Sequence, residues 1–131
     1  MLLVKTKLKT SDRHGIGLFA DQFIRRGTVT WRRSRVFDVA FPPKSLSRMP
    51  AFIKKQFLKY SYFDHGKKEY ILCFDDQRFI NHYRRPNIQS CPHLDKAIRD
   101  IKKGEELVCN YRDYEYDWFE RRRLNEKSFK K

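Results

Sequence analysis

Asn81 and His82 close an apolar pair, Phe79-Ile80, and lead into Tyr83, Arg84-Arg85 and Pro86-Asn87. Two side chains that both donate and accept hydrogen bonds, set at the end of a strand-like run, suit the grip of a polar ligand and equally the tying down of a loop. Two other stretches have the same chemical character. In His14-Gly15-Ile16-Gly17-Leu18 a pair of glycines brackets one apolar residue, so backbone can approach a ligand closely or simply turn. Arg99-Asp100-Ile101 and Gly104-Glu105-Glu106-Leu107 run on through Val108, Cys109 and Asn110 to a phenol, Tyr111. No metal is expected: Cys73, Cys91 and Cys109 include no CxxC pair, and Cys91-x-His93 alone lacks the further ligands that zinc needs. An odd number of scattered cysteines also supports no disulfide frame, and they read as reduced or structural thiols.

The elements that must carry these residues read as short strands. Gly15, Gly17 and Gly27 punctuate β-prone runs in the first third, which predicts hairpins. An internal echo, Ile24-Arg25-Arg26-Gly27 and Ile101-Lys102-Lys103-Gly104, predicts two similar surface turns, each with a glycine at positive φ feeding a strand. Strands are expected over 69–74, 78–82 and 106–110. The clearest helix covers 51–60, opened by Pro50, with Phe52, Ile53, Phe57 and Tyr60 on one broad face that predicts a core-facing stripe. A second helix over 113–127 would set Tyr114 one turn from Trp118 and pair Asp117 with Arg121, with the last residues frayed.

With 131 residues, 40% of them apolar, and no break in composition, one domain over 1–131 is expected. No apolar run approaches the roughly 18 residues that span a bilayer. Lys5, Lys7 and Lys9 interrupt any leader-like start, so an intracellular, cytoplasmic protein is expected. Thirty Lys+Arg against 16 Asp+Glu give a net charge of +14, spread as basic doublets along the chain. This predicts nonspecific attraction to an acidic polymer such as nucleic acid, or serves solubility alone.

Taken in chain order, HGIGLFA (14–20), RFINHYRRPN (78–87) and RDIKKGEELVCNY (99–111) resemble the SET-domain family of S-adenosylmethionine-dependent protein-lysine methyltransferases. Ser61-Tyr62-Phe63 followed by Tyr70-Ile71-Leu72 is similar to that family's hairpin before its central strand. The resemblance covers about residues 4–112 and leaves 113–131 as a flanking segment. It implies a mainly β, β-clip-like fold of several short sheets, with a short helical insert and a knot-like C-terminal crossing, in a minimal stand-alone form. It implies S-adenosylmethionine as cofactor, held by Gly15, Ile16, Gly17, Arg78, Asn81, His82 and Trp118, with Arg78 toward the carboxylate. Tyr111 would hold the lysine amine in line with the methyl and the sulfur, and Tyr62 would form a second aromatic wall of the amine channel. No general base is required by this reading, because a neighbouring sulfonium and desolvation both lower the pKa of the amine. The implied substrate is a lysine of a basic protein, histone-like or ribosomal, and the implied location is nucleus or chromatin if the source is eukaryotic or viral.

Four departures from the family pattern carry expectations of their own. Tyr83 and Arg84 stand where small Ser-Cys residues lie beneath the crossing, and Asn110 stands where an aspartate precedes the tyrosine. Cys109 occupies the place of an aromatic that limits methyl number, so products beyond monomethyl are expected. The family's C-terminal zinc cluster has no counterpart, leaving Trp118 or Phe119 to close the channel. Asp113, Glu115 and Asp117, with Glu120, are expected to form an acidic lip that binds the substrate tail. The alternative to an enzyme is an inactive module of the same fold that binds nucleic acid or another acidic partner through its basic surface.

Overall fold

The computed structural model describes residues 1–128, in which ten short strands dominate. β1 (Thr6–Thr10) and β2 (Ile16–Ala20) form an antiparallel hairpin with Lys9 opposite Gly17. Ser11 closes its turn: its Oγ accepts from the amides of Arg13 (3.0 Å) and His14 (3.3 Å), and its own amide donates to the Gly15 carbonyl (2.8 Å). Gly15 supplies the positive φ of 50° that this return needs. β3 (Val29–Arg32) and β4 (Val39–Phe41) precede α1 (Ala51–Tyr60), followed by β5 (Ser61–Asp64) and β6 (Glu69–Leu72). Then come β7 (Asn81–His82), β8 (Ile88–Cys91), β9 (Leu94–Ala97), β10 (Glu106–Cys109) and the one-turn α2 (Trp118–Arg121).

Hydrogen bonding joins the strands in the order β1-β2-β10-β8-β9-β3, with β7 also on β10, while β4-β6-β5 form a separate three-stranded sheet. Leu18, Ile24, Ile88, Ile101, Leu107 and Phe119 bury the main core between these strands. The crossing follows from the pairing of one residue. Cys109 stands opposite His82 of β7 and also opposite Ile88 of β8, both in parallel sense, so β7 and β8 flank opposite edges of β10. Residues 83–87 must therefore pass around the chain where it leaves β10. Asn87 fastens that passage, donating from Nδ2 to the Glu106 carbonyl (2.8 Å) and accepting from the Val108 amide (2.9 Å).

The two echoing turns lie side by side. Ile24 and Ile101 exchange backbone hydrogen bonds of 2.9 and 2.8 Å, and Gly27 and Gly104 adopt φ of 89° and 91°. Other expectations need correction. The helix over 51–60 is present, yet none of its residues is buried: Phe52 is 73% and Ile53 40% exposed. Of its apolar stripe, Phe52 and Tyr60 border a cavity, whereas Phe57 packs against the cluster of Leu46, Phe63 and Tyr70. The stretch before Asn81 is a 3-10 turn, Asp76–Phe79, capped by Asp75, which accepts from the Gln77 amide, and only Asn81 and His82 are strand. The expected helix over 113–127 shrinks to α2 between two short 3-10 turns, because Asn110 caps a turn at Tyr111–Asp113 and Glu115 is drawn inward. The last three residues of the flanking segment lie outside the described residues. No helix among the described residues is long and apolar enough to cross a membrane.

Candidate active site

The Asn81 side chain holds together the segments that the sequence singled out. Its Nδ2 lies within hydrogen-bond range of the His14 carbonyl (2.9 Å), the Ile16 carbonyl (3.2 Å) and Glu106 Oε1 (2.9 Å). Glu106 in turn accepts from Ser11 Oγ (3.0 Å). Gly17 serves this knot and does not border a cavity: a Cβ there would sit 2.3 Å from Glu106 Oε1 and 3.1 Å from Asn81 Nδ2. Gly17, expected from the sequence as a cofactor contact, has a packing role in this structure, its small size making room for Asn81 and Glu106. Gly15 and Ile16 do face a cavity of about 730 Å³, together with Arg78, Asn81, Tyr111 and Trp118. That volume falls in the range of cofactor and small-molecule sites.

A second, narrow cavity of about 50 Å³ is walled by Trp31, Tyr62, Cys109, Tyr111 and Tyr114. Tyr60, Arg78, Ile80, Tyr111 and Trp118 line both spaces, so the two adjoin at Tyr111. The Tyr111 phenol donates to the Ile80 carbonyl (2.6 Å) and the Tyr62 phenol to the Pro92 carbonyl (2.6 Å). With each hydroxyl hydrogen committed to backbone, each oxygen offers its remaining lone pair as an acceptor. Burial pushes both phenols well above their ordinary pKa, so they stay protonated at neutral pH. Cys109 is fully buried, and burial likewise pushes its thiol up.

His82, expected from the sequence beside the cofactor, lines neither cavity and is buried beneath Tyr111, which it supports. Its Nδ1 accepts from the Tyr111 amide (3.2 Å) and its ring meets Phe119 edge-on at 5.0 Å. Burial lowers its pKa, Glu126 opposing, which assigns the neutral form with the proton on Nε2, 3.3 Å from Glu126 Oε1. The departures at Tyr83 and Arg84 also find partners away from the cavities. Arg13 stacks over the Tyr83 ring at 3.6 Å, and Arg84 Nε pairs with Glu126 Oε1 at 3.1 Å.

The acidic lip is only partly there. Glu115 has no exposed surface: it accepts from the Phe63 amide (2.8 Å) and pairs with Arg122 (2.7 Å), so its assignment to substrate binding is withdrawn. Asp117 pairs with Arg121 (2.9 Å), as the helical spacing predicts, and with His65 (2.8 Å), while Asp113 is exposed. Reasoning from sequence missed Arg122 and Asp95. Asp95 had a signal: in Leu94-Asp95-Lys96-Ala97 it shares the inward face with Ala97.

The family model of the SET domain matches residues 15–112. The chain belongs to the SET-domain family. No curated protein sequence matches it. Among solved structures, this SET domain is similar to a chain of the polycomb repressive complex 2 of Chaetomium thermophilum in its apo form, at 22% identity and a TM-score of 0.70, covering 91% of this chain and 16% of that one. It is similar to the same complex in an autoinhibited conformation bound to S-adenosylmethionine, at 22% identity, a TM-score of 0.66, and coverage of 90% and 16%. A Plasmodium falciparum protein described as a candidate histone methyltransferase matches at 19% identity and a TM-score of 0.60, over 84% of this chain and 95% of that one. At such identities the likeness is one of fold, mainly β with curled sheets and few short helices. The chain spans about a sixth of the length of the polycomb chains, 16%, and nearly all of the Plasmodium one, 95%.

Proposed function

We propose that this SET domain is an S-adenosylmethionine-dependent methyltransferase acting on a lysine side chain of a basic, histone-like or ribosomal protein. The observation that carries the reading is Tyr111, whose phenol stands where a cofactor-sized cavity adjoins a narrow aromatic one. The residues fit the cofactor: Arg78 offers a cation for its carboxylate, Trp118 and Phe52 offer apolar surface, and the backbone of Gly15 and Ile16 comes to the cavity wall without obstruction. When bound, the cofactor supplies an electrophilic methyl group on a sulfonium. Tyr111 orients the amine from the other side by its acceptor lone pair and excludes water with Tyr62 and Tyr114. Cys109 at the narrow cavity is smaller than an aromatic ring and leaves room for more than one methyl. Asp113 and Asp117 remain the proposed contacts of a basic tail. The polycomb and Plasmodium likenesses support a chromatin setting.

Calorimetry with S-adenosylhomocysteine and labelled methyl transfer to mixed histones and ribosomal proteins test the reading. The expected result is cofactor binding and transfer in the parent, with Tyr111→Phe reducing transfer by about 10²-fold while product affinity changes less than about twofold. Absence of both binding and transfer in the parent sinks it.

A second reading, nucleic-acid binding without catalysis, is favoured by the paired turns. Arg25, Arg26, Lys102 and Lys103 are all exposed there, and Lys7 and Lys103 share Asp21 at 3.3 and 3.5 Å. Strongly salt-dependent duplex binding with no cofactor uptake would select it.

A further inference from the structure

Nothing in the reading above uses the polar end of the narrow cavity. Asp95 lines that cavity with Tyr62, Cys109 and Tyr111, and is 3% exposed. It is the only carboxyl among the described residues that line it. Its Oδ2 accepts from Gln77 Nε2, and the Ser90 hydroxyl stands beside it. Two more buried polar atoms belong to residues lining the same space and have no protein hydrogen-bond partner: Trp31 Nε1 and Ser61 Oγ. Buried polar atoms in native proteins are ordinarily satisfied, so such a cluster marks a space meant for a polar or hydrated group. A sleeve built only to hold a hydrocarbon stem has no use for it.

We propose that Asp95 is the proton acceptor of the narrow cavity, taking a proton from the incoming lysine ammonium so that a neutral amine faces Tyr111. The inference rests on the lysine methyltransferase reading. An N–H bond of the ammonium breaks with its electron pair left on nitrogen, an O–H bond forms on the Asp95 carboxylate, and the proton returns to solvent before the next turnover. Several other titratable groups around the cavity are unsuited to the task, while Tyr60 and the exposed Cys91 also line it. The phenols of Tyr62, Tyr111 and Tyr114 and the thiols of Cys73 and Cys109 are all pushed up by burial and stay protonated. Lys59 and Arg78, both basic, also line the cavity. Burial pushes the Asp95 carboxyl up to about 7, against the hydrogen bonds from Ser90 and Gln77, and a carboxylate so poised is a competent base at neutral pH.

The test is single-turnover methyl transfer to a lysine peptide across pH 5.5 to 9.5 in the parent and Asp95→Asn, with S-adenosylhomocysteine affinity measured beside it. The parent rate should rise through an inflection near neutral pH, because only the ionised carboxylate accepts a proton. Asp95→Asn should lose that inflection, run about 10²-fold slower at pH 7.5, and recover as rising pH deprotonates the amine directly, with product affinity unchanged. An asparagine variant that keeps the parent's profile overturns the inference and leaves the methyltransferase reading standing. A parent that neither binds the product nor transfers a methyl overturns both. Should the variant not fold, carboxyl ¹³C titration of the parent decides: an Asp95 signal titrating below about pH 5, in the ordinary carboxylate range, rules the role out.

Discussion

On one side of the wide cavity Asn81, Glu106 and Gly17 interlock at hydrogen-bond distance; on the other, α1 buries none of its ten residues. The first wall is fixed by polar groups held by strand pairing, and the glycine between them leaves no spare volume. The second rests on a few contacts: Phe57 and Leu58 against Leu46, Phe63 and Tyr70, and a bond from Arg122 Nε to the Leu58 carbonyl (2.6 Å). Binding elements that must admit and release a ligand are drawn from the less stable parts of a fold, whereas elements that aim reacting atoms cannot be. On the proposed methyltransferase reading, the difference gives aim to the strand wall and access to the helix wall.

Arg122 joins the two regions, and it offers the largest way to break the contrast. Its side chain is 3% exposed, it lines the wide cavity, it holds α1 through the Leu58 and Ser61 carbonyls, and its countercharge is the fully buried Glu115. Glu115→Gln removes that charge and leaves a buried guanidinium with only part of its partner. The expected cost is about 3 kcal/mol of unfolding free energy in urea titration, since breaking a buried pair strands a charge out of water. A loss under about 1 kcal/mol would mean that the helix wall hangs on something else.

Gly17→Ala probes the strand wall with a smaller effect. Its new methyl must displace the Glu106 carboxylate, which Ser11 holds from the other side, and so loosen Asn81 from the His14 and Ile16 carbonyls. About 1–3 kcal/mol of stability should be lost, the usual cost of a buried polar group left without its partner. Cofactor-product affinity should drop with it. Gly15→Ala sharpens the comparison, because nothing lies within 4 Å of a Cβ there and only its φ of 50° resists the change. Equal losses at the two glycines would show that the crowding at Gly17 is not what fixes this wall.

The strand wall was legible in the sequence because its parts are named by residue type: a glycine pair, an Asn-His and a Gly-Glu-Glu-Leu stretch each state a local geometry. The helix wall was legible only as a helix. Periodicity shows that Phe52, Ile53, Phe57 and Tyr60 share a side, and it carries no information on whether protein or a cavity meets that side. Glu115 failed for a similar reason. Its neighbours in sequence are acidic and suggested a surface, whereas the amide that buries it belongs to Phe63, 52 positions away. Asp95 was within reach, since alternation along β9 turns it inward, yet a single inward acid does not reveal that it borders a channel. Fold-level pairing supplies what types and spacing leave out, namely which surfaces meet.

Phe52→Ala gives the smallest change in stability and the cleanest separation of the two walls. The ring is 73% exposed and borders the wide cavity, so truncating it takes little apolar surface out of the folded core. Unfolding free energy should move by less than about 0.5 kcal/mol, as for most exposed substitutions. The same ring would be covered by a bound purine or its neighbours, and the area lost from that contact should weaken S-adenosylhomocysteine about three- to tenfold in calorimetry. Because the helix wall would then govern affinity without governing the fold, transfer under saturating cofactor should stay near the parent rate, in contrast to Gly17→Ala. If instead stability falls and affinity holds, α1 is a structural strut and the apolar stripe has no ligand to cover it.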